Sequence, residues 1–244
     1  MHGFRLVALI SLLAAVPLSL AALDDVVLTI EAAAQDSFGS ITITEEDGWW
    51  EGSTFYWETS VPLALGDTGA TFGPAVVTSY VDPVSGRAYP AINVGFSVSA
   101  GATDINVLIS SALLSFPEIS PAFARASAAF TVTDFMGAGA TLTGTGGLDG
   151  MAYRTWYNGY LESGNEFCGL IDQIYAQAGS FGVAEDYPGG GLYLPVGAAH
   201  DMSSQISFNL TAFGLASGSA TFEIIPEPGT VLLLIAGLGL LRRR

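Results

Sequence analysis

The sequence predicts a mainly β protein, an antiparallel β-sandwich of Ig-like or jelly-roll type, with one short helix inside it and an apolar helix at each end. Three observations lead there. Apolar and polar residues alternate through much of the chain, turn-forming clusters separate the alternating runs, and two short apolar runs stand at the ends. Alternation with period two places one face of a strand in a core and the other in water, as antiparallel sheets require.

Taken in order, the chain opens with Arg5, an apolar run from Leu6 to Val16, the breaker Pro17 and the small-residue site Ser19-Leu20-Ala21. That order reads as a secretory signal peptide, residues 1–21, cleaved by signal peptidase after Ala21. Alternating stretches follow at Val26–Ile30, Ile41–Ile43, Ile92–Val98, Ile105–Ile109 and Ala128–Val132. Turn signals fall at Glu46-Asp47-Gly48, Asp82-Pro83 and the glycine-rich run from Gly137 to Gly150. Phe167, Leu170, Ile171, Ile174, Tyr175 and Ala178 then stand at helical spacing, and Ser163 with Glu166 matches a capping box. A helix is expected from Gly164 to Ala178, stopped by Gly179. Asp186 to Gly191 reads as an exposed loop, and strands return at Ile206–Leu210 and Ala220–Ile224. The exported sandwich is thus residues 22–225, and residues 226–244 form a tail.

Charge narrows the partners. All 7 basic residues are arginine, and between Asp24 and Ile225 only Arg87, Arg125 and Arg154 face 22 acids. Such a surface repels nucleic-acid phosphates and anionic headgroups and keeps a lysine-free domain soluble. Its acids could also attract Ca²⁺, with Asp47 in its acidic turn and Asp149 in its glycine loop as the candidate ligands. Neither matches an EF-hand or a nonapeptide repeat, and no resident cofactor is expected. Cys168 is the single cysteine, which rules out an intramolecular disulfide and fits a small buried hydrophobe.

Catalytic signatures are sparse, and no catalytic residue is assigned. His2 lies in the signal segment, so His200 is the one imidazole of the exported part. Its neighbour Asp201 should point to the opposite face of a strand, which would make the pair a poor orienting couple. The chain has no lysine for a phosphate-binding loop and no nucleophile elbow. Paired carboxylates stay open as glycosidase candidates, because sequence does not give their separation. Two aromatic clusters stand out: Trp49, Trp50, Phe55, Tyr56 and Trp57, and then Tyr153, Trp156, Tyr157 and Tyr160. Rings of this kind either fill the core or form a platform on which sugars stack, with Trp49, Trp50, Trp57 and Trp156 as the stacking candidates.

The tail carries the most specific pattern. Pro226-Glu227-Pro228 is followed by Gly229-Thr230, an apolar run from Val231 to Leu241, and Arg242-Arg243-Arg244. Two prolines should keep the segment extended and out of strand pairing, open to a peptidase. The run would span about 17 Å as a helix at 1.5 Å per residue, well short of a hydrocarbon core of about 30 Å. The arginines would hold the terminus on the cytoplasmic side of the inner membrane.

Together the three parts resemble the PEP-CTERM sorting signal of Gram-negative bacteria, with Ile225 where valine more often precedes the first proline. The resemblance is confined to the tail. It implies recognition by an exosortase, a membrane protease-transpeptidase, and removal of the tail at or near Pro226, Glu227 and Pro228. It further implies a place at the cell surface or in the extracellular or biofilm matrix, in association with exopolysaccharide.

The expectation is therefore an exported, membrane-held and then processed envelope protein without catalytic activity. The alternatives are a secreted carbohydrate-active enzyme and a calcium-dependent carbohydrate-binding module with the same tail. Paired acids lining a cleft with aromatic walls would favour the enzyme, and a closed sandwich would favour adhesion or structure.

Overall fold

A computed structural model of the chain describes residues 22–23, 26–52, 54–81 and 89–227. The expected signal segment with Ala21, the Asp82-Pro83 turn, Pro228, the apolar run and Arg242 to Arg244 lie outside these residues. Eighteen strands follow in chain order: β1 (Ala22–Leu23), β2 (Val26–Ala34), β3 (Ser37–Thr44), β4 (Trp49–Glu51), β5 (Thr54–Thr59), β6 (Leu63–Ala64), β7 (Thr71–Phe72), β8 (Ala75–Val81), β9 (Pro90–Ser99). They continue with β10 (Ile105–Ser111), β11 (Leu114–Asp134), β12 (Ala140–Gly144), β13 (Tyr153–Tyr157), β14 (Asn165–Leu170), β15 (Gln173–Ala176), β16 (Gly179–Tyr187), β17 (Leu194–Leu210) and β18 (Gly214–Pro226). Among the described residues, helix is limited to two 3₁₀ turns, Glu45–Asp47 and Leu161–Ser163.

The pairing is antiparallel throughout and builds two layers. One sheet runs β3–β2–β10–β17–β13–β14, with β12 and β15 prolonging it past the end of β13. The other runs β4–β5–β8–β9–β18–β11–β16, with the β6–β7 hairpin hooked to the end of β9. Two long strands belong to both. The first half of β11 pairs with the first half of β17, and the register slips three times as they bend from one sheet into the other. The result is one curled sheet folded over itself into a sandwich.

Inward residues of the two sheets meet at a layer of phenylalanines. Phe96 of β9 lies 5.0 Å edge-on to Phe130 of β11 and 5.8 Å from Phe208 of β17 across the sandwich. Phe167 of β14 stacks on Phe222 of β18 at 5.5 Å. The alternation read from sequence is the cause. In β9, Ile92, Val94, Phe96 and Val98 are buried while Asn93, Gly95, Ser97 and Ser99 are partly exposed. β11 follows the same rule, with Ala122 to Val132 buried at every second position.

The expected helix from Gly164 to Ala178 is replaced by β14 and β15. Cys168 and Leu170 alternate inward in β14, and Ile174 and Ala176 do so in β15. The two-residue corner Ile171-Asp172 between them shifts the period, so two strands read as one helical stripe. Ile171 turns that corner at φ 61, a conformation rare for a β-branched residue. Its N–H donates to Glu185 Oε2 at 2.7 Å, and its side chain is buried. The presumed capping box has other partners: Ser163 Oγ donates to Tyr160 O, and Glu166 pairs with Arg154.

Candidate functional site

The first aromatic cluster sits on the edge hairpin β4–β5. Phe55 and Trp57 point into the core and Tyr56 and Glu58 point out, as alternation demands. Trp49 is directly opposite Tyr56, and their rings stack at 5.7 Å with 15° between planes. Trp50 is opposite Phe55 and meets it edge-on at 5.5 Å. Being on an edge strand, Trp49 and Trp50 keep 47% and 41% of their surface exposed. Trp57 keeps 5% and stacks on Phe72 instead, which removes it from any platform.

The second cluster lies at β13, in the body of the first sheet. Tyr153 and Thr155 face the core, where Thr155 Oγ1 and Cys168 Sγ are 3.6 Å apart. Burial pushes the Cys168 thiol up to about 11, and Tyr153 is pushed well above its ordinary value by the same cause. Arg154 and Trp156 occupy the other face of β13. They too are buried, because the loop from Gly146 to Met151 and the Leu161–Ser163 turn cover that face. Trp156, at 3% exposure, is a wall and offers no stacking platform of its own.

A cleft of about 470 Å³ opens beside this wall, lined by Gly147, Asp149, Arg154, Trp156, Glu162 and Glu166 among others. Arg154 is its centre and makes ion pairs with both Asp149 and Glu166. The guanidinium thereby ties the glycine loop to β14. Gly147 is required for this, since its φ is +61 and a Cβ there would run into the guanidinium. The carboxylate of Asp149 is thus spent on Arg154, and that of Asp47 on Thr44. Asp47 accepts the Thr44 N–H at 2.8 Å and the Thr44 hydroxyl at 2.9 Å, bonds that hold its pKa below the usual carboxylate value. The two calcium candidates therefore lie in separate places, each with a partner from the chain.

His200 and Asp201 differ from expectation. Their side chains meet, with His200 Nε2 3.1 Å from Asp201 Oδ2, because β17 is irregular here and does not alternate cleanly. Asp201 also accepts the Gly159 N–H at 2.7 Å, so it anchors the loop after β13.

The Pro226-Glu227-Pro228 segment begins inside the fold. Pro226 is the last residue of β18 and sits opposite Ala122, while the Glu227 N–H donates to Pro121 O at 3.2 Å. The expectation that both prolines stay out of pairing fails for Pro226. Proline removes one donor but has a φ close to that of extended chain, and the end of a strand tolerates the loss.

No protein-family model matches the chain, and no curated protein matches it. Among solved structures it is similar to the K3 cleaved adhesin domain of Lys-gingipain from Porphyromonas gingivalis w83, at 13% identity over 54% of this chain and 71% of that one, with a TM-score of 0.27. It is also similar to the enzymatically active domain of bacteriophage CBA120 tailspike protein 4, at 15% identity over 70% of this chain and 18% of that one, TM-score 0.23. The adhesin domain of Epf from Streptococcus pyogenes matches at 8% identity over 84% of this chain and 63% of that one, TM-score 0.26.

Proposed function

We propose that the chain is an exported protein of the Gram-negative cell surface or extracellular matrix. Signal peptidase and an exosortase process it, and its sandwich meets extracellular polysaccharide without altering it chemically. The observation that carries the sorting part is the end of β18. All the pairings of that strand lie at or before Pro226, and Glu227 is exposed just beyond. Cutting the chain after the motif costs the sandwich none of its ladder, so a processed form keeps its fold. The test is the intact mass of protein recovered from its native host, compared with a Pro226→Ala/Glu227→Ala variant. The expected wild-type product lacks residues 1–21 and the tail, and the variant keeps its tail. Native protein still ending at Arg244 would overturn the exosortase reading.

A second reading, a carbohydrate-active enzyme, is favoured by the cleft, which brings carboxylates and an indole wall together. It needs one carboxyl group able to hold a proton near neutral pH. Asp149 and Glu166 are both paired with Arg154, which leaves Glu162 as the acid of the cleft lining to test. Release of reducing sugar from a polysaccharide, abolished by Glu162→Gln, would establish this reading in place of the first.

A further inference from the structure

The outer face of the second sheet has a cross-strand order that neither aromatic cluster reveals alone. Antiparallel register aligns residues into rows perpendicular to the strands, one residue per strand. The row that begins with the stacked Trp49 and Tyr56 continues through Thr78, Asn93, Thr221 and Ser127 to Asp186. Seven strands separated by about 4.8 Å make it about 29 Å long. Thr221 Oγ donates to Asn93 Oδ1 at 2.7 Å, so neighbouring positions of the row are already in hydrogen-bond contact.

The adjacent row is low. After Glu58 and Val76 it consists of Gly95, Ser219, Ala129 and Ala184 in successive strands. Beyond it a third row again carries hydroxyls, from Ser97, Ser217 and Thr131. A floor of small residues between two polar rows is a trench. Two separate concavities lie along it, one of about 410 Å³ at Glu58, Val76 and Gly95, and one of about 280 Å³ at Ala129, Ala184 and Ser219.

We propose that this trench binds a linear, uncharged polysaccharide lying across the strands, with a sugar ring against the Trp49–Tyr56 pair at one end. This rests on the reading of the chain as a polysaccharide-contacting surface protein and gives that contact a place. Hydroxyl rows on both sides supply donors and acceptors at an interval comparable with one pyranose unit. The exposed aromatic pair supplies the apolar surface that the C–H face of a sugar needs. Charge excludes the anionic alternative. Arg125, the arginine on this face, is spent on Glu223 and lies 5.1 Å over the Tyr193 ring, while Glu58 and Asp186 stand in the outer strands of the rows. A polyanion would meet carboxylates with no unspent cation among the described residues of this face.

The test is native affinity electrophoresis of the full-length chain in a non-ionic detergent, through gels containing hydroxyethylcellulose, laminarin or alginate. Retardation is expected with at least one of the two neutral glucans and not with alginate. Filling the trench by Ala129→Gln/Ala184→Gln should weaken the retardation at least tenfold, and Trp49→Ala/Tyr56→Ala should do the same. Both pairs lie on the outer face, and unchanged melting curves would show that the fold is kept. No retardation on either neutral glucan would overturn the proposal, as would retardation that the trench-filling pair leaves intact. Retardation by alginate would overturn the charge argument. Sedimentation that shows a dimer dissolved by Ala129→Gln/Ala184→Gln, without glucan binding, would assign the trench to a second copy of the chain. Failure here leaves the mass test of sorting untouched, because binding is read whether or not the tail has been cut.

Discussion

The two aromatic clusters look alike in sequence and end in opposite places. Trp49 and Trp50 project from the edge strand of a hairpin, which pairs with β5 alone among the described residues, and they stay exposed on the two faces of β4. Trp156 lies on β13, which has β14 on one side and β17 on the other, with a loop and a 3₁₀ turn laid over its outer face. What decides the fate of an outward-facing ring is whether the chain folds back over it. That depends on the Gly146–Met151 loop and on the ion pairs by which Arg154 holds it.

The largest test of this contrast is stability. Trp156→Ala should cost about 3–5 kcal/mol in denaturant unfolding, the usual price of deleting a buried large aromatic. Trp49→Ala should cost about 1 kcal/mol or less, as an exposed side chain does. Equal losses would erase the distinction. Next comes the lid over the second cluster. Gly147→Ala forces a side chain into left-handed backbone and against Arg154, and it should cost about 1–2 kcal/mol or more. A melting temperature unchanged by that substitution would mean the loop does not clamp.

A smaller effect concerns the thiol beneath that cluster. Cys168 should resist alkylation at pH 8 in the folded protein and react readily in urea, because it is buried and protonated. The folded state holds this proton more tightly than the unfolded state does. Its contribution to stability is therefore intact below pH 9.0 and is lost as the pH climbs toward about 11. Fast labelling of native protein would place Cys168 at the surface. The smallest effect belongs to Asp47 beside the first cluster. Its pKa is lowered by the Thr44 backbone and side-chain bonds, so its contribution is present above the ordinary carboxylate pKa and vanishes as pH falls through the lowered value. Asp47→Asn should thus lower the melting temperature slightly at pH 7 and not at pH 2.

Most strands were legible because burial on one face imposes period two directly on the residues, as in β9 and β18. The false helix shows the limit. Phe167 to Ala178 obeys the same rule twice, but a corner held by Glu185 and by burial of Ile171 resets the phase. No local property of residues 164–178 announces a partner arriving from β16. The site was less legible still. Trp49 and Tyr56 could be picked out by type, but the trench depends on which residue of each strand faces its neighbour. Gly95, Ser219 and Ala129 are unremarkable singly, and register alone brings them into one row. Arg154 was visible only as one of three central arginines, and its role as a clamp needed the loop over it.

The last strand among the described residues is also an inner strand of its sheet: β18 lies between β9 and β11. A polypeptide that emerges amino-terminus first therefore presents two facing open edges, with Ile92 to Val98 on one and Ala122 to Val132 on the other, until β18 arrives. Such edges invite wrong pairing, and long-range closure of this kind is slow. Folding is thus a matter of timing, and whatever keeps neighbouring copies apart until β18 slots home also protects the two open edges.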